Sequence, residues 1–283
     1  MTTRGSSSSA GTGRTKHVNT PIIPGKRLPP AGLGLDTSRV YSDADDAALY
    51  DVLNPWDPES YPGDAFHHEL VLAAESVLDV GCGTGAMLGY ARDHGHRGRL
   101  VGLDPDRAAL DRARRHPDVE WIEGTAAEAD ARTAGGFDLA VMTGHAFQFL
   151  VTDDELRASL AAIHAALAPG GRFVFESRHP QARAWLDWIP DNADDVVDAA
   201  GRPLRVWHDL ESVDAGVVTF TGTTAEPDGT VLRVDRARLR FLDVAPLHGF
   251  LTAAGFIVEA QYGDWHRGPI TPASREIVTV ARR

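Results

Sequence analysis

Hydrophobic and polar positions alternate between two patterns over the middle of the chain. Short apolar runs at 77–80, 100–103 and 139–142 are typical of buried strands. Between these runs, apolar residues recur every three or four positions, which is typical of amphipathic helices. Strands that are separated by helices of this length predict right-handed crossovers and a parallel sheet.

Residues that favour caps and turns mark the ends of the predicted helices. A first helix stops at the Asn-Pro pair at 54–55. The Asp-Pro pair at 104–105 opens a later helix, with proline in its first turn. Thr152 and Glu155 form a capping box, and the Pro-Gly-Gly sequence at 169–171 ends the helix that they begin.

The pattern changes to a period of two between residues 178 and 245. Segments 206–213, 217–224 and 231–241 alternate in this way, and a Pro-Asp-Gly turn at 227–229 separates the last two. This pattern predicts an antiparallel β insertion. A further helix and two strands follow it and return the chain to the α/β pattern.

These patterns divide the chain into five segments. Residues 1–40 contain four consecutive serines, several prolines and almost no core-forming residues, so we expect a disordered leader. An Arg- and Ser-rich start is also typical of organellar transit peptides, but no apolar stripe supports that alternative. The other segments are a helical lid at 41–75, a ligand-binding core at 76–177, the β insertion at 178–245 as an acceptor cap, and a C-terminal completion of the core sheet at 246–283.

Composition and charge exclude several classes of protein. The 283 residues are 43% hydrophobic and 24% charged, and no apolar run approaches the length of a membrane span. The one cysteine, Cys82, excludes an internal disulfide and favours a reducing, cytoplasmic location. The net charge is −12, and six basic residues against Asp36 alone in residues 1–40 leave the rest still more acidic. We therefore expect neither nucleic acid nor membrane as a partner.

A glycine-rich segment follows the first predicted strand of the core. Gly81, Gly83 and Gly85 allow a ligand to approach the backbone closely, and Asp104 ends the next strand, where it can accept ribose hydroxyls. Glycines in this pattern also occur in NAD-dependent oxidoreductases, which remain the alternative. Asp79 favours S-adenosylmethionine (SAM), because a carboxylate repels a pyrophosphate and attracts an ammonium and a sulfonium.

Five motifs together resemble those of class I SAM-dependent methyltransferases. This resemblance implies methyl transfer from SAM and a Rossmann-like sheet of seven strands, the last one antiparallel. It assigns SAM binding to the core at 76–177. The motifs are LDVGCGTG at 78–85, VGLD at 101–104, FDLAVMTGHAFQ at 137–148, LAPGGRFVFE at 167–176 and LTAAGF at 251–256.

The same resemblance implies a set of cofactor contacts. The three glycines would pass under the methionine and ribose, Asp79 would lie near the amino acid end of SAM, and Asp104 would hold the ribose. Thr143 and Gly144 would contribute main-chain contacts beside the methionine portion. Such proteins often have Asp where this chain has Thr125. Recognition of the adenine is therefore left to the main chain near Ala126 or to Glu128.

The layout is also similar to the small-molecule branch that methylates amino sugars, which has a tyrosine-rich helical lid and a β insertion. In the lid, Tyr50 is a candidate catalytic residue and Tyr61 a candidate substrate contact, with the lid core as the alternative for both. His145 follows the fourth strand and is the candidate base, because histidine titrates near neutral pH, and a hydrogen bond to SAM or within the fold is the alternative for it. Glu176 is a candidate to orient an amine. Arg178 either contacts the substrate or pairs with Glu176.

Aromatic residues suggest further substrate contacts. Phe147 and the neighbouring Gln148 are predicted to face SAM or the acceptor. Trp185, Trp207 and Trp265 are candidates to line an aromatic chamber, which favours a flat or cationic acceptor. An aromatic, indole-type acceptor and an amine-bearing specialised metabolite are both open, and the core of the insertion is the alternative for each tryptophan. No carboxylate pair with Asn marks a magnesium site, so no metal is expected.

Other functions remain as alternatives. The loop at 143–146 lacks the Asn/Asp-Pro-Pro-aromatic sequence that is usual in nucleic-acid amino-methyltransferases. A protein acceptor fits poorly with a lid and an insertion. A non-catalytic SAM-binding protein is a further alternative, and a homodimer is expected only from the general habit of soluble enzymes.

Overall fold

Seven strands form the central sheet of the structure, a computed structural model that describes residues 41–283. The leader predicted for residues 1–40 lies outside the described residues. Strands are numbered along the chain, and four others form a second sheet described below. Those of the central sheet are β1 (Ser76–Val80), β2 (Arg99–Asp104), β3 (Glu120–Glu123), β4 (Phe137–Met142), β5 (Leu167–Arg178), β10 (Ile257–Tyr262) and β11 (Glu276–Arg282).

The order across this sheet is β10-β11-β5-β4-β1-β2-β3. Six strands run in the same direction, and β11, the last in the chain, runs antiparallel between β5 and β10. The predicted Rossmann-like sheet of seven strands with a reversed last strand is confirmed.

Helices cover both faces of the central sheet. Successive strand residues point to opposite faces, so Leu78 packs in the layer that contains α6 (Asp153–Ala166) and α7 (Val244–Ala253), and Val77 packs in the layer with α2 (Pro62–Ala73) and α3 (Ala86–Asp93). None of the helices within residues 41–283 combines the length and apolar character that a membrane span requires. The helices are α1 (Asp43–Leu53), α2 (Pro62–Ala73), α3 (Ala86–Asp93), α4 (Arg107–Ala113), α5 (Ala129–Thr133), α6 (Asp153–Ala166) and α7 (Val244–Ala253).

Helix α6 begins at the predicted capping box. Glu155 donates its N–H to the Thr152 hydroxyl (3.2 Å), and Thr152 donates its N–H to Oε2 of Glu155 (2.8 Å). The predicted end of this helix was wrong, because it ends at Ala166 and residues 169–171 lie inside β5. The register between β4 and β5 is irregular at this point, so the Pro-Gly-Gly sequence bulges from the strand.

The start of α4 also differs from the prediction. Asp106 is the N-cap, and its Oδ1 accepts the N–H groups of Ala108 (2.8 Å) and Ala109 (3.2 Å). The Asp-Pro pair at 104–105 therefore precedes the helix. An aspartate side chain that satisfies two free N–H groups determines where the helix begins.

The β insertion forms a second, antiparallel sheet, which we call the cap. It contains β6 (Asp194–Val197), β7 (Pro203–Asp214), β8 (Val217–Ala225) and β9 (Val231–Arg240), in that order. The predicted three strands are confirmed, and the short β6 was not predicted. One face of the cap packs Val218, Phe220 and Leu239 against Trp188, and Val206 against α1. This face is the cap's inner face.

Helix α1 lies between the cap and the core and is tied to both by ion pairs. Near its start, Asp43 accepts a hydrogen bond from Arg233 of β9 (2.7 Å). Near its end, Asp51 accepts hydrogen bonds from Arg112 (2.6 Å) and Arg115 (2.7 Å) at the end of α4. These contacts fix the lid helix at both ends.

We expect Gly102→Ala in β2 to lower the free energy of unfolding by about 1–3 kcal/mol, because overpacking displaces neighbours in a dense core. A Cβ at this position would collide with the indole of Trp121 and lie 2.8 Å from Sγ of Cys82. Urea unfolding measures the change.

Gly249→Ala in α7 is the matched control, because a Cβ there meets no atom within 4 Å. It should stabilise the protein by up to about 1 kcal/mol, since alanine is a better helix former than glycine. Parent-like stability of Gly102→Ala would contradict the close packing described for β2.

Candidate active site

Four buried carboxylates lie at one edge of the central sheet. Asp79, Asp104 and Glu176 lie near the carboxyl ends of β1, β2 and β5. Glu276 begins the reversed strand β11 and is the register partner of Arg178 at the end of β5, so it lies at the same edge. All four side chains point to the sheet face that α2 and α3 cover, because each is an even number of residues from a strand residue packed there.

The glycine segment after β1 needs the conformational freedom of glycine. Gly81, Gly83 and Gly85 have φ angles of +78°, +53° and +75°. Gly83 donates its N–H to Oδ2 of Asp104 (2.7 Å), and a Cβ on Gly83 would meet no atom within 4 Å. The backbone therefore faces open space here, as a close-approaching ligand requires. Thr84, inside this segment, donates its hydroxyl to Asp51 of the lid (2.5 Å).

Asp104 is held in one orientation by main-chain donors. Its Oδ1 accepts the N–H of Asp106 (2.7 Å), and its Oδ2 accepts the N–H of Gly83. Burial raises the pKa of Asp104 to about 6, although these two hydrogen bonds favour the ionised form. Each oxygen keeps a second lone pair, which suits it to accept ribose hydroxyls.

Asp79 carries a buried oxygen that no hydrogen bond satisfies. The side chain is 1% exposed, and its Oδ1 has no hydrogen-bond partner among the described residues. Burial raises the pKa of Asp79 well above its ordinary value, and the nearby carboxylates of Asp104 and Glu176 raise it further. An unpaired carboxylate in such surroundings fits the ammonium group of SAM.

His145 connects two of the carboxylates. Its main-chain N–H donates to Oε1 of Glu176 (2.7 Å), and its ring nitrogen Nε2 lies 2.9 Å from Oε2 of Glu276. The backbone of His145 has φ +63°, which is uncommon for a residue with a side chain. A left-handed residue held by two buried carboxylates is typical of a functional loop.

Tyr50 reaches from the lid toward the loop after β4. Its hydroxyl lies 3.4 Å from the position that a Cβ on Gly144 would take. Burial raises the pKa of Tyr50, and the carboxylates of Asp104 and Asp79 contribute to the increase. The structure thus brings together Tyr50, the glycine segment and the loop of Thr143 and Gly144.

The region predicted to face the adenine contains a capping box. Thr125 donates its N–H (2.9 Å) and its hydroxyl (3.0 Å) to Oε2 of Glu128, and Glu128 also pairs with Arg132. Glu128 is therefore occupied by helix capping. The main chain around Ala126 is the remaining candidate for adenine recognition.

Two predicted contacts in the loop after β4 belong to the core instead. Phe147 is buried, and its ring stacks on Phe175 at 4.1 Å between centroids, so it does not face the crevice. Gln148 is also buried and donates to the carbonyl of Arg240 (3.1 Å). Its Oε1 accepts a hydrogen bond from Arg178 (3.0 Å).

Arg178 therefore contacts Gln148 rather than pairing with Glu176. Its guanidinium also lies over the ring of Trp188, 5.6 Å from the centroid. Tyr61 is the N-cap residue of α2 and is half-buried. These positions place Arg178 between the sheet edge and the cap, and Tyr61 at the start of the helix that covers the carboxylates.

The predicted tryptophans lie in three separate places. Trp185 packs edge-to-face on Phe241 inside the cap, at 4.7 Å between ring centroids. Trp265 packs against Phe66 of α2 at 5.8 Å. Trp207 is adjacent in β7 to Val206, whose side chain is on the cap's inner face, so Trp207 points to the outer face. The prediction that Trp207 lines the acceptor chamber was therefore wrong.

Three site residues were not singled out from the sequence. Glu276 was covered only by the C-terminal segment predicted at 246–283, and Asp51 only by the lid predicted at 41–75. His67 lies on the buried side of α2, 3.5 Å from Glu176, and no motif marks it. Within residues 41–283, no group of three or more His, Cys, Asp or Glu side chains is arranged to hold a metal ion.

Comparisons with known proteins agree with this chemistry. A model of the methyltransferase domain matches residues 77–171. The chain is 30% identical over 231 residues to a dTDP-3-amino-3,4,6-trideoxy-alpha-D-glucopyranose N,N-dimethyltransferase from Streptomyces venezuelae, which covers 77% of this chain and 92% of that protein. It is also 30% identical over 125 residues to a ribosomal protein L11 methyltransferase from Cupriavidus metallidurans, covering 42% of this chain but only 38% of that protein's length.

Solved structures show the same fold. DesVI from Streptomyces venezuelae superimposes with a TM-score of 0.62 and 26% identity, over 88% of this chain and 99% of that one. SAM-bound CalS10, an amino pentose methyltransferase from Micromonospora echinaspora, gives a TM-score of 0.61 and 25% identity, over 86% and 98% of the two chains. Because one relative matches at 30% identity over nearly its whole length, this chain belongs to the class I SAM-dependent methyltransferases.

Proposed function

We propose that this enzyme transfers the methyl group of SAM to the nitrogen of a small amine-bearing acceptor, with amino sugars as the acceptor class. The observation that carries the proposal is the pair of buried carboxylates, Glu176 and Glu276, beside His145. Both lie on strands beyond β4, away from the glycine segment. A buried carboxylate favours a cationic or hydrogen-bond-donating nitrogen, and an amine supplies both.

The relatives support nitrogen as the receiving atom. The Streptomyces venezuelae relative is named as an amino-sugar N,N-dimethyltransferase, and CalS10 is described as an amino pentose methyltransferase. An indole-type acceptor has less support, because Trp185, Trp207 and Trp265 pack in three separate places.

The cofactor side of the crevice is assigned to the residues near the glycine segment. Bound SAM supplies an electrophilic methyl group on a positively charged sulfur. Asp104 would accept the ribose hydroxyls and Asp79 the ammonium group. Tyr50 would cover the ligand and exclude water, which contributes much of the rate in a displacement of this kind. The main chain would supply the remaining contacts at Gly81, Gly83, Gly85, Thr125, Ala126, Thr143 and Gly144.

His145 is the proposed base. Glu276 accepts the proton of Nε2, which leaves the lone pair on Nδ1. Nδ1 would take one proton from an acceptor that arrives as an ammonium ion. The neutral amine would then take up the methyl group, while the electron pair of the broken carbon–sulfur bond stays on the sulfur of S-adenosylhomocysteine. Glu176 orients the nitrogen and holds the main chain of His145 in place. Arg178 and Tyr61 are proposed contacts of the rest of the acceptor.

An acceptor panel tests the proposed function. Incubated with SAM, the protein is expected to add methyl groups to a nucleotide-linked amino sugar, while the matching sugar with a hydroxyl in place of the amine stays unmodified. Mass spectrometry of the products measures the transfer. Methylation of indoles or of the hydroxyl sugar, with no reaction of the amino sugar, would contradict nitrogen as the acceptor.

We expect Asp104→Ala to weaken SAM binding by about 1–3 kcal/mol, because hydrogen bonds to a charged group are lost. Calorimetric titration with SAM measures the change. Asp111→Ala on the exposed surface of α4 is the control and should bind SAM like the parent. Unchanged affinity of the Asp104 variant would remove the ribose assignment.

His145→Asn should lower turnover at least tenfold while SAM affinity is retained, since asparagine tolerates a left-handed backbone but cannot act as the base. Steady-state kinetics and calorimetry separate the two effects. If SAM binding collapses instead, His145 is a cofactor contact and the base is another residue.

A further inference from the structure

A buried histidine on α2 lies near Oε2 of Glu176, the carboxylate oxygen that does not accept the main-chain N–H of His145. Nε2 of His67 lies 3.5 Å from Oε2 of Glu176, and each residue is only 2% exposed. Neither atom has a hydrogen-bond partner among the described residues. Trp265 packs on the imidazole at 5.5 Å between centroids and helps to keep solvent out.

The tautomer of His67 follows from its other nitrogen. Nδ1 lies 3.0 Å from the carbonyl oxygen of Gly63, which accepts hydrogen bonds and cannot donate them. Nδ1 therefore carries the proton, and Nε2 of the neutral ring presents a lone pair to Glu176. An ionised Glu176 would also present a lone pair at this point. Two acceptors facing each other in a dry site repel, so the arrangement favours one proton between them.

Burial determines which residue keeps that proton. It lowers the pKa of His67 to about 4 and raises the pKa of Glu176 to about 7. Both shifts favour a neutral imidazole beside a neutral carboxylic acid, because a buried ion pair needs further partners to offset its desolvation.

Some groups around His67 and Glu176 favour their charged forms, and others disfavour them. His145 favours the ionised form of Glu176, whereas Glu276 disfavours it. Asp64 on α2 favours a proton on His67 without overcoming the effect of burial. The titratable or charged groups that face Glu176 come from α1, α2, β1, β5, β11 and the loop after β4, and are Tyr50, His67, Asp79, Arg178, Glu276 and His145.

We infer that Glu176 and His67 hold one proton between them, bonded to Oε2 of Glu176, and release it to water when a positive charge enters the crevice. The entering charge is the SAM sulfonium, and the role of the resulting carboxylate toward an amine rests on the proposed function. The O–H bond of the acid breaks, its electron pair stays on Glu176, and the carboxylate becomes able to hold the amine. His67 is a positioning residue, because it acts only through the charge of Glu176.

Infrared spectroscopy of the ligand-free protein tests the pair without any methyl transfer. The acid bands of Asp79 and Asp104 are common to the parent and to Glu176→Gln, so they cancel in the difference between the two spectra. At pH 6 this difference should contain the carbonyl stretch of one protonated acid, and the stretch should titrate with a midpoint near pH 7. His67→Phe keeps an aromatic ring at this position but removes the nitrogen that accepts the proton of the acid. The titration midpoint of the Glu176 band should therefore move to lower pH. His67→Gln should shift it in the same direction, because its amide N–H donates to the carboxylate.

His68→Phe is the matched control. It makes the same change one residue along α2, where the ring packs on Tyr90 instead of Glu176, so its midpoint should equal that of the parent. Circular dichroism and urea unfolding identify any variant that has not folded. A parent spectrum without a Glu176 acid band, or an unchanged midpoint in both His67 variants, overturns the inference.

Calorimetry in buffers of different ionisation enthalpy measures the proton release. At pH 7 SAM should release about half a proton more than S-adenosylhomocysteine, which lacks the sulfonium charge, since Glu176 is then about half protonated. The protonation of Asp79 cancels in this difference, because both ligands carry the ammonium group. The difference should vanish in Glu176→Gln, shrink in His67→Phe and persist in His68→Phe.

The two measurements separate failure of the inference from failure of the proposed function. An infrared band that behaves as expected, in a protein that methylates no amine, supports the proton-holding pair and removes the amine acceptor. Amine methylation together with equal proton release by SAM and S-adenosylhomocysteine overturns the charge-dependent release and leaves the proposed function standing.

Discussion

The site depends on one electrostatic constraint, the burial of several carboxylates on one face of a sheet. Within residues 41–283, Oδ1 of Asp79 and Oε2 of Glu176 have no hydrogen-bond partner, although both are shielded from water. Burial of a charge costs several kcal/mol even after the protein relaxes. Such carboxylates either take up protons or bind a cation, and their raised pKa values show the first response. A ligand that carries an ammonium and a sulfonium provides the second.

The topology of the sheet explains why these carboxylates meet. Parallel strands place their carboxyl ends at one edge, which brings together Asp79 and Asp104, the proposed cofactor residues, on neighbouring strands. The reversed direction of β11 brings its first residue, Glu276, to the same edge beside β5. Strand β4 lies between these halves, and the loop that follows it carries His145 to both Glu176 and Glu276. The reversal of one strand thus creates the half of the site assigned to the acceptor.

The sequence predicted the parts of the site that depend on short-range patterns. The glycines, Asp79 and Asp104 lie within motifs whose spacing has a direct chemical reason. The parallel sheet follows from alternating strands and helices, whereas its seven strands and its reversed last strand are what the family resemblance implies. His67 and Glu276 were not predicted, because their importance comes from contacts across 109 and 131 positions of the chain. The prediction that Trp207 lines the acceptor chamber failed for a related reason. The sheet face on which Trp207 lies depends on strand register, which composition does not reveal.

His145 lies between the half of the site that we assign to the cofactor and the half that we assign to the acceptor, and its backbone is strained. A non-glycine residue at positive φ costs about 1–3 kcal/mol and persists only where its surroundings stabilise it. Here Glu176 holds the main chain and Glu276 holds the ring, so the conformation of the loop depends on both carboxylates. A neutral Glu176 accepts the main-chain hydrogen bond less strongly than an ionised one, because hydrogen bonds to a charged acceptor are about twice as strong as those to a neutral one. If entry of positive charge ionises Glu176, as we infer, it would therefore also strengthen this hydrogen bond and tighten the loop that carries the proposed base.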